Sequence, residues 1–411
     1  MNERILLCLC HMSGKEMDFI NEAFAENWVL PLGPNVNGFE KDLEHFFISG
    51  ETDTKGESTT VQAPGLEISH DRTLLAQKRI VALSAGTAAI HLGLVALGVG
   101  HGDEVMVQSF TFSASANPVT YVGATPVFVD SEPDTWNMDP RLLDEAIADR
   151  IAKTGKKPKA IIPVYLYGMP AKIDEILAVA AKWEIPVLED SAEAFGSRYN
   201  GQYCGTFGRY GVLSFNGNKM ITTSGGGALI CPDEDTAKLV TSYATQSREP
   251  YPWYQHERIG YNYRLSNISA GIGRGQMTIV DEHLAHHRYV QNRYRELLAD
   301  IPGVELHENP GPEFDSNFWL CAITFNDAVK VKGDDSCGAP EAMRRMLEKE
   351  NIETRHLWKP MHLQPVFADC PAYVNGVSED LFNRGLCIPA GPYVGDAEIM
   401  RVVNSIKSAM L

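Results

Sequence analysis

The chain has 411 residues, 44% hydrophobic and 22% charged, with 36 basic against 53 acidic side chains and a formal net charge of −17. These proportions exclude a disordered or fibrous chain, and the length predicts more than one domain. The acidic balance argues against a nucleic-acid backbone or an anionic membrane as the main partner, while leaving room for a local cationic pocket that holds one phosphate.

The run Ile5–Cys10 is too short for a signal-peptide core, and Glu3 and Arg4 precede it. Ser49–Arg72 is polar and lacks periodicity, so it is expected to be a surface insertion. Strand-like and helix-like stretches then alternate. Arg79–Ser84 predicts a strand and Thr87–Leu97 a helix. Ala88–Gly100, the longest apolar stretch, is interrupted by His91 and is too short to span a bilayer. The same alternation continues through Asp103–Gln108 and Ser113–Tyr121, then Pro126–Asp130 and Pro140–Ala152. It ends with Lys159–Leu166, Ala171–Trp183 and Pro186–Asp190.

The strands are apolar runs, as expected when helices cover both faces of a parallel sheet. Repeated βα units imply a largely parallel α/β sheet with right-handed crossovers, whose ligands sit beyond the carboxyl ends of the strands. From about Asp281 a long polar helix is expected through Asp300. A strand at Phe318–Phe325 and helices at Pro340–Asn351 and Asp396–Met410 follow. The expected division is a large α/β domain over 1–280 and a smaller α+β domain over 281–411. The eight cysteines are scattered, with no Cys-x-x-Cys pair and no Cys/His ligand set. The sequence therefore predicts neither a metal site nor a disulfide framework, and points to a reduced, cytoplasmic compartment.

Three stretches carry candidate chemistry. In Ser84-Ala85-Gly86-Thr87, small residues between a strand and a helix let the backbone approach an anion at the positive helix end. An ordinary N-cap from Ser84 or Thr87 would use the same residues. Glu189-Asp190-Ser191-Ala192-Glu193 closes a buried strand, where a carboxylate can hold a protonated ring nitrogen or merely cap a helix. In Ser214-Phe215-Asn216-Gly217-Asn218-Lys219, a lysine among small residues can form a Schiff base, although most lysines are solvated. Thr222–Gly227 follows, and its triple glycine does not match a phosphate-loop pattern. Taken in order, an anion turn, a strand-end Asp and a lysine are the three groups that pyridoxal phosphate requires.

The chain resembles the DegT-type nucleotide-sugar aminotransferases, of the aspartate-aminotransferase fold. The similar stretches run nearly end to end. They are His11–Glu16, Asn27–Pro34, Ser84–Ala89, Gly123–Asp130, Gly260-Tyr261-Asn262-Tyr263-Arg264 and Leu357–Pro365. The resemblance implies pyridoxal 5'-phosphate as cofactor and Lys219 as the Schiff-base lysine. It implies Asp190 on the pyridine nitrogen, Glu193 near the 3-hydroxyl and Phe112 stacked on the ring. Gly86, Thr87 and Ser214 would contact the phosphate. Asn262 would reach the cofactor of a neighbouring subunit, which implies a homodimer with composite sites. Tyr165 departs from the family pattern, standing where many relatives have a His whose polar contacts lie around the sugar.

The His-Met-Ser-Gly opening, Ser131–Met138 and Leu357–Pro365 look most like the branch acting on UDP-linked 4-keto-6-deoxy-N-acetylhexosamines, with L-glutamate as donor. Candidate sugar contacts are Trp28, Lys359 and His362, each of which has an ordinary structural alternative. A 3-keto-sugar aminotransferase, a sugar dehydratase and a catalytically silent binding protein of the same fold are the other expectations. The retained Lys219 weighs against the dehydratase, and the intact Lys/Asp/phosphate set against the silent protein.

Overall fold

The computed structural model describes residues 3–49, 59–63, 66–70, 72–333 and 336–411. Within the polar insertion, β1 (Thr59–Ala63) and β2 (Leu66–His70) pair antiparallel, a hairpin that the lack of apolar periodicity did not announce. A hairpin ladder is made by backbone groups, so it does not need an apolar side-chain pattern. The rest of the insertion lies outside the described residues.

The large sheet follows β3 (Arg79–Leu83), β4 (Glu104–Gln108), β5 (Thr125–Val129), β6 (Ala160–Ile162) and β7 (Leu188–Asp190). After the small hairpin β8 (Arg198–Tyr199) and β9 (Gln202–Tyr203) come β10 (Tyr210–Ser214) and β11 (Gly227–Cys231). A late strand, β16 (Ala372–Tyr373), extends the sheet beside β5. Two four-stranded ladders, β3-β11-β10-β7 and β16-β5-β4-β6, meet between β6 and β7. There Ile161 and Val164 bridge in parallel to Val187 and Asp190. Among the described residues only β11 runs antiparallel to its large-sheet neighbours. The buried strands lie between two apolar layers, one built around the helix Gly86–Ala96 and one around the helices Pro140–Thr154 and Ile173–Trp183.

The expected helix over Ser113–Tyr121 is divided into a short turn, Ser113–Ser115, and a helix, Asn117–Tyr121. Pro118 is the physical reason, because it lacks an amide hydrogen and suits only a first helical turn. The expected strand Lys159–Leu166 stops at Ile162, where Pro163 interrupts the ladder.

The second core surrounds a sheet of β12 (Val304–Leu306), β14 (Cys321–Phe325), β15 (Arg355–His356) and β17 (Gly385–Ile388). The short strand β13 (Phe314–Asp315) pairs with β8. The helix Val280–Leu298 joins the cores. Val280 and Leu284 pack with the N-terminal helices, and Val290, Tyr294 and Leu298 with the C-terminal layer. Ile5 also belongs to that layer, bridging to Ile352. The chain therefore crosses between the two cores near both ends.

Candidate active site

The anion turn leaves β3 at Leu83. The Ser84 amide donates to the Tyr263 carbonyl at 2.7 Å, fixing the turn's entry. Ala85 is extended (φ −166, ψ 158), and the helix begins at Gly86 with no side chain capping it. The N-cap alternative is therefore not what Ser84 and Thr87 do. By contrast, Asp139 caps the helix Pro140–Thr154 and Ser266 caps Asn267–Met277. The uncapped amides and the helix dipole suit an anion. A Cβ on Gly86 would lie 3.1 Å from Ser214 Cβ, and one on Gly227 would lie 2.4 Å from the Gly86 nitrogen. These glycines let the turn, β10 and β11 converge, and bring Gly86, Thr87 and Ser214 to one cavity of about 320 Å³.

Asp190 ends β7 and is 4% exposed. Its Oδ2 accepts from Ser115 Oγ at 2.7 Å, and its Oδ1 from the Ala192 amide at 3.1 Å. Burial raises this carboxyl above the usual range, opposed by those two bonds and by the charge of Lys219. Because side chains alternate along a strand, neighbouring Glu189 points to the other face. There it accepts from Tyr165 Oη and the Gly205 amide.

Lys219 lies beyond β10 in a turn closed by its amide on the Asn216 carbonyl at 3.0 Å. Its Nζ is 3.4 Å from Glu193 Oε1 and 3.9 Å from the centre of the Trp319 ring. Glu193 is held through Oε2 by the Tyr167 amide at 2.7 Å, a residue in the left-handed region (φ 55). Burial raises the Glu193 carboxyl as well, opposed first by Lys219.

The cavity thus gathers an uncapped anion turn, a buried carboxyl at a strand end and a lysine amine. These are groups able to hold a phosphate, a ring nitrogen and an aldehyde, so the residues fit pyridoxal phosphate. The model of the DegT/DnrJ/EryC1/StrS aminotransferase family matches residues 72–407. The chain belongs to this family. It is 43% identical to Bacillus subtilis EpsN, named for a pyridoxal phosphate-dependent aminotransferase, over 98% of this chain and 95% of that one. It is 32% identical to GDP-perosamine synthase of Escherichia coli O157:H7, over 96% of this chain and 95% of that one. A crystal structure of a DegT/DnrJ/EryC1/StrS aminotransferase from Brucella abortus superposes with a TM-score of 0.82 at 29% identity, covering 96% and 95% of the two chains. The chain is a pyridoxal-phosphate-dependent sugar aminotransferase of the DegT family.

The other expected residues of this DegT-family chain divide into two groups. Phe112 lines the cavity and is 57% exposed, with its ring 6.0 Å from that of Trp358. Trp28, Lys359, His362 and Asn262 are not among the described residues that line it. Trp28 is partly exposed, and its carbonyl accepts from Asn267 Nδ2 at 3.0 Å. Lys359 and Asn262 are exposed. His362 Nδ1 is 2.7 Å from Ser109 Oγ, and burial lowers its pKa. The contact ties the C-terminal segment to the residue after β4. Tyr165 is fully buried against Glu189 and does not line the cavity, where Val164 stands instead.

Among the cavity residues that escape the sequence reading are Ser115, Trp319 and Trp358. Ser115 falls in a stretch that reads as helix. Trp319 falls inside an apolar, strand-like run. Trp358 sits within Leu357–Pro365, where the charged residue and the histidine draw attention first. The Trp358 amide donates to Tyr167 Oη at 2.8 Å, tying this segment to the residue that supports Glu193.

Proposed function

We propose that this chain moves an amino group from L-glutamate to C4 of a UDP-linked 4-keto-6-deoxy-N-acetylhexosamine, giving a 4-amino sugar for glycan synthesis. The observation that carries the reading is the position of Leu357–Pro365, one of the stretches behind the branch resemblance. It borders the cavity through Trp358. The proposal includes a homodimer with composite sites, working in the cytoplasm. Its support is large exposed apolar side chains on the N-terminal segment (Met17, Phe24, Val29, Leu32) and on the 247–260 stretch (Trp253, Tyr254, Ile259). The eight scattered cysteines, without a Cys-x-x-Cys pair, support the reduced compartment. The same reading assigns 1–280 to cofactor binding and 281–411 to the smaller part.

Bound pyridoxal phosphate supplies an electron sink for the carbanion at the substrate carbon. Asp190 keeps the ring nitrogen protonated. The Lys219 amine takes the proton from the donor's α carbon and later delivers one to the sugar carbon. Glu193 orients that amine, and the Ser84–Thr87 turn with Ser214 binds the phosphate. Trp28, Lys359 and His362 are proposed sugar-side residues.

The test is a screen of UDP- and dTDP-linked 3- and 4-keto sugars with L-glutamate, the products read by mass spectrometry and NMR. A 4-amino product from the UDP 4-keto sugar is expected. A 3-amino or dehydrated product overturns the substrate assignment.

A further inference from the structure

We propose that Trp319 is the seat of the free Lys219 ammonium, a positioning role that sets how readily the lysine leaves it for the cofactor. The inference rests on Lys219 being the cofactor-bearing lysine. Trp319 is only 2% exposed, in a cavity wall shared with Asn218 and Lys219. Its Nε1 donates to the Asn218 carbonyl at 2.6 Å, fixing the peptide directly before the lysine. Its ring face lies 3.9 Å from Nζ. One side chain therefore holds both ends of the lysine, its backbone approach and its charged tip.

Trp319 is itself held. Its amide donates to Asn317 Oδ1 at 2.8 Å. Asn317 Nδ2 donates to the carbonyls of Glu193 and Phe195 at 2.9 and 3.0 Å. The backbones of the two residues whose carboxylate and ring flank Nζ are thus joined through one asparagine. An aromatic face attracts a cation more as the pair is desolvated; here the Lys219 side chain is 13% exposed and Trp319 2%.

The consequence is a difference between two ligands. Pyridoxamine phosphate has no aldehyde, so Lys219 stays on the ring in both the free and bound protein. Pyridoxal phosphate takes the lysine off it. The ammonium loses a proton to solvent, the nitrogen bonds to the aldehyde carbon, and the aldehyde oxygen leaves as water. Removing the aromatic face destabilises only the states in which the lysine is free. It should therefore strengthen binding of pyridoxal phosphate and leave pyridoxamine phosphate unaffected. Loss of a merely structural residue would weaken both.

The experiment measures the affinity of the full chain for each ligand by equilibrium titration, in wild type, Trp319→Phe and Trp319→Leu. Trp319→Leu is expected to bind pyridoxal phosphate about tenfold more tightly, with pyridoxamine phosphate within about twofold. Trp319→Phe keeps a ring face, so its ratio of the two affinities should stay near wild type. Parallel weakening of both ligands, or no change in their ratio, overturns the role. If Trp319→Leu fails to fold, fluorotryptophan incorporation weakens the ring face without changing its shape. It labels all six tryptophans, so Trp319→Phe with the same label is the control. The affinity ratio should move in labelled wild type and not in labelled Trp319→Phe; equal movement in both overturns the role. Borohydride trapping separates the two levels of the inference. An adduct mapped to another lysine sinks the Lys219 reading itself. An adduct on Lys219 with an unmoved ratio sinks only the role of Trp319.

Discussion

Ser115 Oγ donates to Asp190 Oδ2 at 2.7 Å, and Thr111 Oγ1 stands 2.7 Å from the same serine oxygen. This buried relay fixes the carboxyl at the end of β7. Asp190→Asn removes the charged partner of the ring nitrogen, and transamination is expected to fall about 100-fold or more. Ser115→Ala keeps the charge and loses one bond to it, an effect of about tenfold. Single-turnover rates with glutamate check both. Near-normal rates in Asp190→Asn would mean that another group protonates the ring.

The raised Asp190 carboxyl also predicts a pH effect on the cofactor-free protein. Burial is the main cause, so folding favours the protonated acid. The stability this group contributes is present below its unfolded pKa and is lost as pH rises through its folded one. The neutral amide of the Asp190→Asn variant escapes that loss. Cofactor-free Asp190→Asn should therefore gain stability relative to wild type as pH rises from the carboxylate range to neutrality. Urea unfolding at pH 5 and pH 8 measures the difference, and a relative gain that shrinks at pH 8 would contradict the burial argument.

The glycines of the anion turn differ in what surrounds them. A Cβ on Gly86 meets the Ser214 side chain at 3.1 Å, and that side chain has some freedom to move. A Cβ on Gly227 meets the Gly86 nitrogen at 2.4 Å, and backbone cannot yield without opening the turn. Gly86→Ala is expected to weaken cofactor binding about tenfold with the fold kept, whereas Gly227→Ala should cost about 1–3 kcal/mol of stability. Thermal unfolding alongside cofactor titration separates them. Equal stability of the two variants would place the constraint elsewhere.

The parts of the site legible in the sequence are those set by local chain geometry. A strand followed by small residues and a helix places Gly86 and Thr87, and a buried strand ending in an acid places Asp190. Lys219 is legible by its order after these. What stays hidden depends on contacts between distant segments. Trp319 is an apolar residue near a core strand until the 219 turn is packed against it. The bridges joining β6 to β7 are single backbone pairs that no residue pattern announces. β16 is two residues long, from a segment far along the chain, so its place beside β5 is equally invisible. His362 carries an ambiguous signal, because a half-buried histidine looks the same in sequence whether it meets a sugar or Ser109.

The last prediction is that the active site is shared between two subunits. Asn262 is exposed and lies outside its own chain's cavity lining. It sits between Tyr261 and Tyr263, whose rings stack 5.2 Å apart and pack on His91. Asn262 is exposed, whereas its two tyrosine neighbours are partly buried. The same segment is bound to the anion turn of its own chain through the Ser84 amide and the Leu83–Arg264 bridge, so it is presented on a firm base. Arg264 must be left intact in any test. Its guanidinium pairs with Glu40 and donates to the Ala82 carbonyl, and removing it would take the cation from a half-buried carboxylate and loosen β3. Asn262→Asp instead sets a negative charge against a phosphate, a repulsion of several kcal/mol, or about 100-fold or more in cofactor affinity. Lys219→Ala removes turnover by the other route. Neither variant alone should be active at limiting cofactor. In a mixed dimer, one site combines an intact Lys219 with an intact partner asparagine, while the other carries both defects. Activity should return to about half that of wild type within the heterodimer fraction, since one of two sites is whole. Subunit exchange proven by mass spectrometry without recovered turnover would place each site wholly within one chain.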